Sequence, residues 1–219
     1  MKIYNIIILD ASGSMFSLQK PSVDGVNETI QTIKASQKSA PDCEQSISLF
    51  TFSSSYAENI NTILRDSPAL QTAELPYQAY EPEGCTPLYD AIGEITTMFR
   101  HLLQPEDKAL VTIITDGYEN SSVRYSAKDI HKIISQLSEK GWVFAYIGAN
   151  QDSILESERI GIHNAMNFCA DQAGTREMWK KDARCRKRFM DVMCSCDVAP
   201  EQALNMNSCY FVEKDEKKK

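Results

Sequence analysis

The sequence predicts an α/β protein: a doubly wound, mainly parallel sheet with one antiparallel edge strand and helices on both faces. Three observations carry that expectation. Short apolar runs rich in β-branched residues recur along the chain, as strands covered on both faces require. Amphipathic helical patterns alternate with them. Two strand patterns stand too close together for a helix to lie between them, so that pair is antiparallel.

The elements follow in order. "KIYNIIIL" (2–9) is too short for a helix and uniformly apolar at its end, which suits a central strand. After a loop at 10–21, "VDGVNETIQTIKAS" spaces Val23, Val26, Ile30 and Ile33 three and four apart, giving a helix with one apolar face. "SISLFTF" (46–52) and "YAENINTIL" (56–64) pair as a hairpin whose second strand is the antiparallel edge. Beyond a proline-bearing loop at 76–87, "LYDAIGEITTMFRHLL" (88–103) lines up Leu88, Ile92, Ile95, Phe99 and Leu102, with Pro87 suited to the helix entry. "ALVTIIT" (109–115) is a buried strand, "AKDIHKIISQLSEKG" (127–141) a helix closed by Gly141, and "WVFAYIG" (142–148) a further strand. A short helix near 153–160 and a strand near 164–169 complete the alternation.

Length and composition bound the rest. A chain of 219 residues with 42% hydrophobic and 24% charged residues is an ordinary globular chain, long enough for one sizeable core. The apolar run at the start ends at Asp10, shorter than a signal peptide needs, and no stretch approaches the roughly 20 apolar residues of a membrane span. The expected location is cytoplasmic, and the seven cysteines are expected to be mostly reduced thiols. Residues 1–175 hold 12 Lys and Arg against 22 Asp and Glu, a net −10, while residues 176–219 hold 11 against 8, a net +3. That break divides the chain into a domain (1–175) and a basic C-terminal helical extension with a charged tail (176–219). Within the extension, "WKKDARCRKRF" (179–189) reads as a solvated helix face. Nucleic acid is disfavoured as its partner, because the acidic body repels phosphates.

Ligands of doubly wound sheets bind beyond the carboxyl ends of the strands, where the strand order reverses. At those ends stand "DASGS" (10–14), "DGYEN" (116–120) and "GANQD" (148–152), and "EGCTPLYDAI" (83–92) leads into a crossover helix. Carboxylate and hydroxyl oxygens without imidazole or thiolate select a hard cation, Mg²⁺ ahead of Ca²⁺ or Mn²⁺. Alternation at Asp10, Ser12 and Ser14 lets one tight loop present three oxygens to a point, with Gly13 giving the backbone room.

Asp10-Ala11-Ser12-Gly13-Ser14, then Thr86, then Asp116-Gly117 together resemble the metal-ion-dependent adhesion site of von Willebrand factor A (VWA) domains, a Rossmann-like fold. "GCTPLYDAI" and "GANQD" resemble intracellular bacterial VWA proteins, including those of tellurite-resistance-type clusters, more than animal adhesion domains. Cys85 stands where glycine often precedes the threonine. The resemblance implies metal contact from Ser12 and Ser14, direct or water-mediated contact from Thr86, and carboxylates of Asp10 and Asp116 that mainly hold coordinated waters. It further implies a protein partner that supplies an Asp or Glu to the ion. No membrane role is expected, since no run is long enough, and no catalysis, since the base and nucleophile that it needs are missing.

Rival readings use the same residues. A phosphatase or other metal-dependent hydrolase with Asp10 as nucleophile would need an acid at the third position, where Ser12 stands; a scaffold with a vestigial site would differ only in leaving the ion unbound. A serine hydrolase lacks a base, since His101 and His131 fall in helices and His163 at a turn. Simple helix capping would need one of Asp10, Ser12 and Ser14 and would leave Thr86 and Asp116 unexplained. Asn150 and Asp152 face the same rim, but Ser153 with Glu156 reads as a capping box. Cys185, Cys194, Cys196 and Cys209 lack the spacing of a zinc site. Tyr118 and Tyr125 are candidate anchors for a partner.

Overall fold

The computed structural model describes residues 1–149, 152–195, 206 and 208–212, with the backbone alone at 152 and 153. Six strands, β1 (Lys2–Asp10), β2 (Glu44–Phe52), β3 (Ile60–Pro68), β4 (Lys108–Thr115), β5 (Val143–Ala149) and β6 (Ala165–Phe168), form one sheet in the order β3-β2-β1-β4-β5-β6. Every neighbouring pair is parallel except β2 with β3, so the predicted fold class holds.

Helices α1 (Gln19–Ser39), α2 (Leu88–Phe99), α3 (Ala127–Ser138), α4 (Asp152–Arg159) and α5 (Gln172–Met193) connect and cover the sheet. Successive side chains of a strand point to opposite faces. On β1, Ile3, Ile7 and Leu9 therefore join the core under α1 and α5, while Tyr4, Ile6 and Ile8 join the core under α2 and α3. This double burial is why β1 reads as an unbroken apolar run.

Several boundaries differ from the expected ones for local reasons. The edge strand starts at Ile60 rather than 56, because Glu58 and Asn59 take left-handed backbone (φ 57 and 63) and form the turn of the hairpin. The expected loop at 10–21 is helical from Gly13: a 3-10 turn over Gly13–Leu18 runs straight into α1. Pro21 lies in the first turn of α1, where its missing N–H costs nothing. Helix α2 stops at Phe99, whose carbonyl accepts from both Leu102 and Leu103 N–H and tightens the chain into turns. His101 therefore lies beyond the helix.

Helix α5 starts at Gln172, so the expected boundary between 175 and 176 falls in its first turn. It packs across α1 with Met178, Trp179, Phe189, Met190 and Met193 buried. Of the six basic residues read as a solvated face, Arg186 points inward instead and is fully buried, and Arg188 is half-buried with its guanidinium on the carbonyls of Cys209, Tyr210 and Val212. A Cys43–Cys194 disulfide joins the end of α5 to the entry of β2, while Cys85, Cys169, Cys185 and Cys209 are thiols. Cys196 lies outside the described residues.

The α1–α5 contact depends on a glycine. A Cβ at Gly25 would sit 2.1 Å from Trp179 Cγ, closer than any packed atoms approach. Gly25→Ala is expected to displace the indole and cost about 1–3 kcal/mol through overpacking, read as a lower denaturant midpoint with a shift in tryptophan emission. An unchanged midpoint would mean that α5 does not pack as described.

Candidate metal centre

The strand order places β1 beside β4, with β2 on one side and β5 on the other, so the direction of winding reverses between β1 and β4. Asp10 is the last residue of β1 and Asp116 follows the last residue of β4. Register pairs Leu9 with Ile114, and one step further sets Asp10 beside Thr115.

At that point the structure brings together all five residues expected from the sequence. The Asp10 carboxylate is completely buried; Oδ1 accepts from Ser12 N–H (2.7 Å) and Oδ2 accepts from Thr115 Oγ1 (2.5 Å). Ser12 Oγ lies 3.2 Å from Ser14 Oγ, and Ser14 Oγ donates to Asp116 Oδ1 at 2.6 Å. A Cβ at Gly117 would lie 3.3 Å from Thr86 Oγ1, 3.8 Å from Ser14 Oγ and 4.0 Å from Asp10 Oδ2. Oxygens of Asp10, Ser14 and Thr86 thus converge beside Gly117, and Ser14 Oγ joins Ser12 Oγ and Asp116 Oδ1 to them. Asp10, Ser12 and Thr86 form the buried floor of this cluster, and exposed Ser14 and half-buried Asp116 form its open side.

Electrostatics favour a cation there. Burial raises the Asp10 carboxyl to about 6 against the pull of the Thr115 and Ser12 hydrogen bonds, and burial raises Asp116 as well. Among the described residues, no Lys, Arg or His forms an ion pair with either carboxylate. Two partly desolvated anions facing three hydroxyls match the oxygen-only donor set of a hard divalent ion. The capping alternative fares worse: Ser12 occupies the N-cap of the 3-10 turn, but its hydroxyl makes no capping bond. The left-handed residue of the assembly is Gly84 (φ 81), whereas Gly13 has no positive φ and holds the loops together by donating its N–H to Gly84 O (3.0 Å).

Sequence reasoning missed the residues that position these ligands. Thr115 was findable, since strand alternation puts it on the same face as Asp10 on the neighbouring strand. Tyr80, fully buried, donates its hydroxyl to Asp10 O (2.5 Å), and Glu83 N–H donates to Ala11 O (2.8 Å), so the segment leading to Thr86 is zipped to the Asp10 loop. That segment is strapped along α1 by Asn27, which both donates to Leu75 O (3.0 Å) and accepts from Leu75 N–H (2.7 Å), and by Lys34 Nζ on Thr72 O (2.7 Å).

On the other side, Asn120 accepts from Thr86 N–H (2.8 Å) and returns its own N–H to Thr86 O (3.2 Å). Glu119 accepts from Tyr89, Ser121 and Ser122 N–H. Asp90, in the first turn of α2, accepts from the N–H groups of Val123, Arg124 and Tyr125 at 2.9–3.0 Å. Glu119 and Asn120 follow directly on the Asp116-Gly117 pair in sequence, whereas nothing local to Asp90 announces that its carboxylate caps a loop more than thirty residues away.

Tyr118 is exposed on the rim, and Tyr125 packs its ring over Gly93. His131 and His163 are exposed, like His101. Asn150 and the side chains of Asp152 and Ser153 lie outside the described residues.

Comparison with known proteins rests on structure. No protein-family model matches the chain, and a search of curated proteins finds no match. Among solved structures, the pilus adhesin SpaC of Lactobacillus rhamnosus GG in its open conformation superposes with a TM-score of 0.66 at 12% identity, over 87% of this chain and 30% of that one. Proximal thread matrix protein 1 of the mussel byssus, with zinc in its MIDAS motif, gives 0.61 at 17% identity, over 84% and 48%. A von Willebrand factor type A protein from Catenulispora acidiphila gives 0.54 at 13%, over 88% and 43%. The chain spans less than half the length of each. At these identities the likeness establishes the fold, which is that of a VWA domain.

Proposed function

We propose that this chain is a non-enzymatic, divalent-metal-dependent protein-interaction module. Asp10, Ser12, Ser14, Thr86 and Asp116 would hold Mg²⁺, with Ca²⁺ or Mn²⁺ as alternatives, and a protein partner would contribute an Asp or Glu. One observation carries the reading: Asp10 Oδ2, Ser14 Oγ and Thr86 Oγ1 converge beside Gly117, and Ser14 Oγ also meets Ser12 Oγ and Asp116 Oδ1. When bound, the cation supplies positive charge for the partner's carboxylate.

The chain's residues set the terms of that contact. Three neutral hydroxyls beside two carboxylates leave a divalent ion less neutralised than an all-carboxylate cage would, so an incoming anion is attracted rather than excluded. Buried Asp10 and Thr86 fix the floor, and the open side at Ser14 and Asp116 leaves approach to one direction. That SpaC is a pilus adhesin and proximal thread matrix protein 1 a byssus protein with a metal-occupied MIDAS motif accords with such a module.

Calorimetric titration of chelator-treated protein with Mg²⁺ and with Mn²⁺ tests this. Saturable binding is expected, weakened by at least about tenfold in Ser12→Ala/Ser14→Ala, with proteins captured from lysate released by chelator. Absence of saturable binding by the unaltered chain would overturn the assignment.

A further inference from the structure

We propose that the solvent face of α5 is a second docking surface, which takes an acidic segment of a protein partner independently of the metal centre. Arg176, Lys180, Arg184 and Lys187 are exposed along this helix and Lys181 is half-exposed. At about 100° per residue, Arg176, Lys180 and Lys187 fall within roughly 40° of arc and span about 16 Å of helix. Among the described residues, no carboxylate lies within ion-pair distance of Arg176, Lys180, Lys181 or Lys187.

The ridge is basic on a chain whose residues 1–175 carry a net −10. Packing does not explain it. The inward face of α5 is occupied by Met178, Trp179, Phe189 and Met190, and the charge that packing uses, Arg186, is satisfied inside. The ridge is also held rigid, by the Asp171 cap on Gly174 N–H (2.7 Å) at one end and the Cys43–Cys194 bond at the other. With the helix backbone already fixed, binding has only side chains to order.

Its dimensions and surroundings choose the occupant. About five residues of an extended acidic segment, at roughly 3.3 Å each, cover the same length. A nucleic-acid duplex fits worse. A duplex is broader than the ridge and would press further phosphates onto Asp24 and Glu28 of α1, which line the groove beside Arg176 and Lys180, whereas a short segment can follow the line of Arg176, Lys180 and Lys187 and leave that groove empty.

Fluorescence anisotropy of a labelled short poly-glutamate peptide with the full chain, in chelator so that the metal centre plays no part, tests the proposal. Expected are saturable binding, weakening of about tenfold in Lys180→Glu/Lys187→Glu, a smaller loss in Lys180→Gln/Lys187→Gln, and a further fall as salt is raised. Thermal unfolding of both variants checks that they remain folded, as substitutions of exposed lysines should. No binding, binding indifferent to both substitutions, or tighter binding of duplex DNA than of the peptide would each overturn the proposal. The Mg²⁺ titration is unaffected by these outcomes, so the two readings fail separately.

Discussion

Arg186→Met is expected to destabilise the fold by about 3–5 kcal/mol, read as a lowered urea midpoint with little change in slope. The guanidinium is fully buried and makes four hydrogen bonds: Nε and Nη2 to Asp182 Oδ2 (3.3 and 3.2 Å), Nη1 to Asn5 Oδ1 (3.3 Å) and Nη2 to Thr112 Oγ1 (2.6 Å). Tyr210 donates its hydroxyl to the other Asp182 oxygen (2.9 Å), which ties the end of the described chain to the same centre. Removing the arginine leaves the Asp182 carboxylate buried without a counter-charge, the costly way to break such a pair. Arg186→Met/Asp182→Leu is therefore expected to recover most of the loss, because replacing both partners with apolar groups strands no charge. A cost below about 1 kcal/mol for the single substitution would show that the network does not hold α5 to the sheet.

This network also marks where the sequence stops being legible. The strands and crossover helices could be read because each obeys one period: uniform burial on β1, β4 and β5, or a three-and-four spacing on α1, α2 and α3. Helix α5 has the same spacing on its buried face, but two of the positions are Asp182 and Arg186, so charge disguises an inward stripe as a solvated one. The compensating signal lay far away, in the polar Asn5 and Thr112 embedded in apolar strands on the face that α5 covers. Only tertiary structure connects residues 74 and 181 positions apart. The convergence of the five candidate ligands was legible for the opposite reason. Each stands at a strand end or helix entry that the strand pattern itself locates, and a rule of topology brings those ends together. Their supports, Tyr80, Asp90, Glu119 and Asn120, act across loops through backbone groups, which leave no pattern in side-chain order.

Asp90→Ala is expected to reduce both stability and metal affinity, whereas Asp116→Ala should reduce affinity alone. Asp90 is fully buried, and its two oxygens accept three backbone N–H groups of the loop 123–125 together with Asn59 Nδ2. Truncation to alanine leaves those donors without an acceptor at about 1–3 kcal/mol for each that stays buried. It also unfastens the loop that follows Asp116 from the helix entry that follows Thr86, so metal affinity should fall by about 10–100-fold, the usual effect of losing a support of the ligands. Asp90→Asn keeps the shape and one accepting oxygen, and so should lie between wild type and alanine in both measurements. Asp116 differs in kind. Its carboxyl is raised by burial and, among the described residues, accepts no backbone N–H from another loop, so its removal relieves a desolvated charge and should leave the metal-free protein at least as stable as before. Paired urea unfolding and Mg²⁺ calorimetry on the three variants would separate a carboxylate that builds the site from one that faces the ion. If Asp90→Ala kept full affinity, the Thr86 and Asp116 loops would not need to be fastened to each other for the site to form.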